Sequence, residues 1–196
     1  MTHVSVVLFE GFEELDAIGP YEVFGMAAGR GGDLTVDLRT LEPAEQVTAS
    51  HGLRVEPDGV LDGSEDFLVV PGGGWSSGGG VRDVVDDGRL PEALAERYAD
   101  GIPVASVCTG AMILAAGGVL DGRPAITHAS AIDDLSEYTE VVDARVVDDG
   151  DVLTAGGVTA GIDLALHLVE RFCGAEIAEA TETGLEHDRD RSVYTS

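Results

Sequence analysis

The chain has 196 residues, 44% of them hydrophobic, with 37 acidic side chains against 11 basic ones and a formal net charge of −26. A single domain of this length buries about 70% of its unfolded surface, and the apolar content excludes a disordered acidic tail. The charge leaves no basic footprint for nucleic acid. All the basic residues are arginine, which removes lysine Schiff-base chemistry and any Walker-type phosphate loop. Charge spread over a folded surface at this density matches a protein from a salt-accumulating organism, where salt screens the self-repulsion.

Val4 to Phe9 is a continuous apolar run and predicts a strand buried on both faces. Glu10 to Asp16 reads as an acidic loop, with Pro20 as the first-turn proline of a helix over Tyr21 to Ala28. Leu34 to Leu41 alternates as a strand, and Asp66 to Val70 is a second buried one, ended by Pro71 and the glycines Gly72, Gly73 and Gly74. Leu90 to Tyr98 has helical periodicity. Pro103 to Val107 predicts a strand and Ala111 to Ala116 a helix, with Ala125 to Thr127 a short strand beyond them. Val141 to Asp148 and Val152 to Ala155, joined through Asp149 and Gly150, predict a hairpin. Thr159 to Phe172 predicts the longest helix, with Thr159 as its cap. Strands alternating with helices predict an α/β fold, a mostly parallel sheet covered on both faces, in one domain over residues 1–196.

The apolar runs are too short to span a bilayer, and no basic leader precedes the first strand, so the expected location is the cytoplasm. Cys108 and Cys173 lie far apart, without metal-type spacing; neither a disulfide framework nor a metal site is expected, nor a cofactor.

The stretch Ser106-Val107-Cys108-Thr109-Gly110 has the spacing of a strand-to-helix elbow, which lifts a nucleophile above a parallel sheet. The helix behind it turns free N–H groups and its positive dipole end toward the sulfur, favouring the thiolate. A lone cysteine on an apolar strand is otherwise a small buried hydrophobe. In such sheets ligands gather at the carboxyl ends of the strands. There the first loop offers Glu13, Glu14 and Asp16, any one of which could exchange protons with the thiol. The Gly72–Gly74 loop could bring backbone N–H groups to a developing charge. It does not read as a dinucleotide fingerprint. Among five histidines His128 stands out, at a predicted strand end twenty residues after Cys108. His3, His51 and His187 sit at polar or terminal positions, and His167 inside a helix.

These segments together resemble one family. Phe9-Glu10-Gly11-Phe12-Glu13-Glu14-Leu15-Asp16, Ile18-Gly19-Pro20, Val70-Pro71-Gly72-Gly73, Cys108-Thr109-Gly110, Thr127-His128 and Thr154 to Asp163 are similar, in order and spacing, to the ThiJ/PfpI superfamily. That superfamily belongs with the class I glutamine amidotransferase-like proteins. The resemblance implies a flavodoxin-like three-layer sandwich, a homodimer and a small-molecule substrate without cofactor. It implies Cys108 as nucleophile, Asp16 as the acid beside its sulfur and His128 as the family histidine. Gly73 and Gly74 correspond to the backbone donor loop, and Thr109 to the elbow N–H. Asp where other branches carry Glu, and the Gly156-to-Asp163 segment, make the isocyanide hydratase branch the nearest. That implies a lyase hydrating an isocyanide to an N-formamide. Glyoxalase, deglycase or peptidase chemistry through Cys108 and His128, and redox sensing through Cys108 oxidation, are the alternatives. AraC-type regulators share these signatures but add a helix-turn-helix domain. Ala129 departs from the aromatic residue usual after the histidine in that branch, which bears on the shape of the pocket.

Overall fold

The apolar run at the start forms β1 (Thr2–Leu8), its last five residues buried. The computed structural model describes residues 1–76 and 78–196. After β1 come α1 (Glu14–Gly29), β2 (Leu34–Thr40), β3 (Val47–Thr48), β4 (Arg54–Val55), β5 (Gly59–Val60) and β6 (Phe67–Val70). Next are α2 (Val81–Asp87), α3 (Arg89–Ala99), β7 (Val104–Val107), α4 (Gly110–Ala116) and β8 (Pro124–Ala125). A single tight turn at Ala129–Ala131 leads to α5 (Ile132–Leu135), β9 (Glu140–Val141), β10 (Val146–Asp149) and β11 (Val152–Ala155). The chain ends with α6 (Ala160–Cys173), α7 (Ala175–Leu185) and β12 (Val193–Thr195).

Eight of these strands form one sheet in the order β12-β10-β11-β7-β6-β1-β2-β5. Six run parallel, while β10 and β12 run against them. Every residue of β6, β7 and β11 is buried, as expected of strands covered by helices on both faces. Each fully buried valine there stabilises the fold by about 1.5–3 kcal/mol relative to exposure. A carboxylate in place of Val69 would be left charged and unpaired at the sheet's centre. Register pairs Val70 with Ser106 and Ala155 with Val107, so β6, β7 and β11 end at one level and the chain leaves all three on the same rim.

On one face α6 buries Leu164, Ala165, Leu166, Leu168 and Val169. A glycine permits that close seat: a Cβ on Gly161 would lie 3.0 Å from Val107 and 3.4 Å from Pro20 of α1. No described helix is long and apolar enough to cross a membrane.

The flavodoxin-like α/β sandwich agrees with the sequence, and several boundaries move. α1 begins at Glu14, so Glu14 and Asp16 stand in its first turn and Pro20 lies inside it. A proline there forgoes the bond its N–H would give to the carbonyl four residues back and crowds that carbonyl, and its ring packs toward α6. The hairpin is β10–β11 alone. Val141 belongs to β9, which pairs with β8 in a separate small sheet, so the short strand expected over Ala125 to Thr127 is Pro124–Ala125. Thr159 occupies the cap position of α6 without a capping side-chain bond; its hydroxyl accepts instead from Arg145. The patterns did not predict α2, α7 or β12.

Candidate active site

β7 stops at Val107 and α4 starts at Gly110, which leaves Cys108 and Thr109 to make the whole turn. Cys108 takes φ +57°; among described non-glycine residues only Glu186 is also left-handed. Such a conformation costs about 1–3 kcal/mol and persists where its surroundings over-determine it. Here they do. The Cys108 N–H donates to the carbonyls of Ala155 (3.0 Å) and Gly156 (2.9 Å), and Thr127 Oγ1 donates to the Cys108 carbonyl at 2.9 Å. Gly110 makes the turn possible: a Cβ would stand 2.4 Å from the Val70 carbonyl oxygen. The thiol is 5% exposed.

Asp16 arrives from the first turn of α1 and is fully buried. Its Oδ2 accepts the Gly72 N–H at 3.0 Å, while Oδ1 is buried without a hydrogen-bond partner. Burial pushes its carboxyl up to about 7, against the Gly72 N–H and the Cys108 thiol, which favour the ionised form; Glu13 adds repulsion. Burial also pushes the Cys108 thiol up, to about 12, with the Asp16 charge adding to the rise. The backbone N–H groups of Thr109 and Val158 face the sulfur and act the other way. Near neutrality the thiol therefore keeps its proton while the Asp16 carboxyl beside it stands close to half-ionised.

The other two acids of the first segment do different work. Glu14 accepts the His51 N–H at 2.7 Å and the Ser50 hydroxyl at 3.0 Å. Burial alone would raise Glu14, but these bonds and the His51 ring bring it down to about 2. Glu13, Glu14 and His51 form the one described group of ligand-type side chains close enough to share a metal ion. Glu13 also accepts from the Ser50 hydroxyl, so this cluster ties the start of α1 to the β3–β4 turn.

Gly73 was expected to offer its N–H to substrate. Here that N–H donates to Thr109 Oγ1 at 2.9 Å, and the hydroxyl returns a bond to the Gly73 carbonyl at 2.8 Å. The Gly72 N–H is spent on Asp16, and it is the backbone N–H groups of Thr109 and Val158 that favour the ionised sulfur. Gly74 adjoins Gly78 and Gly80 in the loop leading to α2, where there is no room for a Cβ. Beyond it the Trp75 indole is buried under the Arg82 guanidinium, 3.5 Å from the ring centre, with its N–H on Asp134 of α5. Ser76 adds a bond to the Ser130 carbonyl, so this loop links the glycine segment to the turn after His128.

His128 follows Thr127 on the rim, half-buried. Its Nδ1 accepts the Ser130 N–H at 3.1 Å, which leaves the proton on Nε2, and its ring lies over Gly157, where a Cβ would come within 2.8 Å of Cδ2. It flanks the Gly156–Val158 turn and takes its hydrogen bonds from Ser130. His187, expected to be solvated, is half-buried and bonds buried Asp163 at 2.8 Å. Sequence reasoning missed Val158, because a backbone N–H carries no side-chain signature.

Residues 2–171 match the DJ-1/PfpI family. The chain belongs to that family. Among its DJ-1/PfpI relatives, an isonitrile hydratase of Pseudomonas putida is 34% identical over 189 residues, covering 94% of this chain and 78% of that protein. A deglycase of Thermococcus kodakarensis is 30% identical over 161 residues, 75% of this chain and 85% of its own. A solved ThiJ/PfpI family protein from Pseudomonas syringae superimposes with a TM-score of 0.85 at 28% identity, covering 96% of this chain and 76% of that one. The match runs from β1 through most of α6 and so includes every residue of the site; α7 and β12 lie outside it.

Proposed function

We propose that this DJ-1/PfpI protein hydrates an isocyanide to an N-formamide, with Cys108 as nucleophile and Asp16 as the proton carrier. The observation that carries the reading is the fully buried Asp16 carboxyl beside the Cys108 thiol, its ionisation held near neutrality. An isocyanide needs both parts: its terminal carbon accepts a thiolate, and the same carbon must then receive a proton.

The Cys108 sulfur forms a bond to the terminal carbon, and the thiol proton passes through ionised Asp16 to that carbon, giving a thioimidate. Ionised Asp16 then takes a proton from water as the water oxygen adds to the carbon, and that proton goes on to the nitrogen. Cleavage of the C–S bond, with the hydroxyl proton returning to the pair, releases the N-formamide and regenerates the thiol. The Thr109 and Val158 N–H groups hold charge on the sulfur as it arrives and leaves. No step draws on a metal or cofactor. The likeness to the isonitrile hydratase supports this reading.

The likeness to a deglycase supports a second reading, in which Cys108 adds to an α-oxoaldehyde and His128 assists proton transfer. One experiment separates them: turnover of a simple isocyanide, and of methylglyoxal, by wild type, Cys108→Ala and Asp16→Asn. Formamide lost in both variants supports hydration. Lactate from methylglyoxal without any formamide, with the thiol reduced, would overturn it. The working assembly we propose is a homodimer, read by sedimentation in concentrated potassium chloride.

A further inference from the structure

Arg145 lies between β9 and β10, remote from Cys108 in sequence, and its contacts converge on the turn beside the elbow. Its Nε pairs with Asp163 in the first turn of α6, a carboxylate only 1% exposed. One Nη donates to Thr159 Oγ1 at 3.1 Å, and its main-chain carbonyl accepts the Gly156 N–H, also at 3.1 Å. A single residue therefore grips both ends of the four-residue turn 156–159 between β11 and α6. That turn in turn holds the elbow, because the Gly156 carbonyl accepts the Cys108 N–H. Asp163 is fixed from its other side by the His187 ring (2.8 Å) and the Asp190 N–H (3.1 Å) on Oδ1.

We propose that Arg145, anchored on Asp163, is a positioning residue: it keeps the Gly156–Thr159 turn in register with the strained Cys108 elbow and thereby sets the reactivity of the thiol. This rests on the reading that Cys108 is the nucleophile. The left-handed Cys108 conformation is held in part by the bond its N–H gives to the Gly156 carbonyl on this turn. A turn released at Thr159 lets the Val158 N–H drift from the sulfur, and a thiolate that loses a donor is less populated at a given pH. Arginine is suited to the task because its planar fork reaches Asp163 and Thr159 together, where lysine reaches one.

Two variants test this while leaving Asp163 paired. Arg145→Lys retains the charge and gives up the link to Thr159. Thr159→Val keeps the Arg145–Asp163 pair and removes the exposed acceptor. The readout is iodoacetamide alkylation of the Cys108 peptide against pH, followed by mass spectrometry, beside kcat and KM for an isocyanide. Both variants should melt near wild type, alkylate about threefold to tenfold more slowly at pH 7 with the profile displaced upward, and lose kcat at unchanged KM. Alkylation profiles that superimpose on wild type in folded variants would overturn the proposal, with or without a lowered melting temperature. If wild type turns over no isocyanide, hydration fails on its own, and the alkylation shift still decides the role of Arg145.

Discussion

Replacing Asp16 with asparagine should stabilise the protein and silence it. A carboxyl moved from 3.8 to about 7 by burial resists ionisation in the fold, and three pK units correspond to about 4 kcal/mol. Because the folded value is the raised one, the stabilisation is complete below about pH 4 and is lost as pH climbs toward 7. The substituted amide would not titrate, and its oxygen can still accept the Gly72 N–H. The other carboxylates are common to both proteins and cancel in the difference. The sequence pI of 4.1 makes pH 5 the practical lower limit. From pH 5 to pH 8 the stability gap in favour of Asp16→Asn should widen by about 2.5 kcal/mol. At 2–4 °C per kcal/mol for a chain of this size, that is roughly 5–10 °C in melting temperature. Calorimetry of both proteins at three pH values reads it, and the Cys108→Ser background separates the contribution of the sulfur. A gap that stays constant with pH would mean that Asp16 ionises like an exposed carboxyl, and its role as proton carrier near neutrality would fall with it.

The left-handed elbow should make Cys108→Gly more stable than Cys108→Ala by about 1 kcal/mol in chemical denaturation, although both lack the thiol; the reverse order would contradict the strain. A methyl group on Gly72 would stand 2.7 Å from Asp16 Oδ2 and from the Thr109 nitrogen, so Gly72→Ala should cost at least about 2 kcal/mol and displace Asp16 from the thiol, read as lost turnover in whatever fraction still folds. Gly157→Ala drives a Cβ to 2.8 Å from His128; turnover of an isocyanide should survive that push, whereas chemistry using the imidazole would not. With 37 acidic residues against 11 basic ones, the melting temperature should rise steeply between about 0.1 M and about 2 M potassium chloride, and a flat response would refute the salt-adapted reading.

The elbow was legible in the sequence because its signal is local: five consecutive residues, with an apolar strand before them and a helix after. Asp16 was harder. Three acids in a row of four read as one loop, and only the resemblance singled out the one that the fold buries beside Cys108. Once α1 starts at Glu14, helical geometry sends Asp16 into the core and leaves Glu13 and Glu14 on the side of Ser50 and His51. Pro20 misplaced that start, because a proline is most favoured at the first helical position and this one stands six residues beyond it. Gly73 was expected to donate outward, but the hydroxyl of Thr109, 36 positions away, claims its N–H. The Arg145–Asp163–Thr159 ties bridge 18 and 14 residues between elements whose relative placement no local pattern encodes. α7, moderately polar and outside the matched segment, gave no periodicity strong enough to read.

Both margins of the main sheet are short: two residues of β5 on one side and three of β12 on the other. β12 lies alongside β10 and hides a longer strand from neighbouring molecules. For an acidic protein in dilute buffer this hardly matters, since like charge keeps copies apart. In brine the repulsion reaches only a few ångströms, and an unpaired strand rim becomes a template for stacking into fibrils. There the three residues of β12, by covering β10, leave a neighbouring chain a shorter rim to extend.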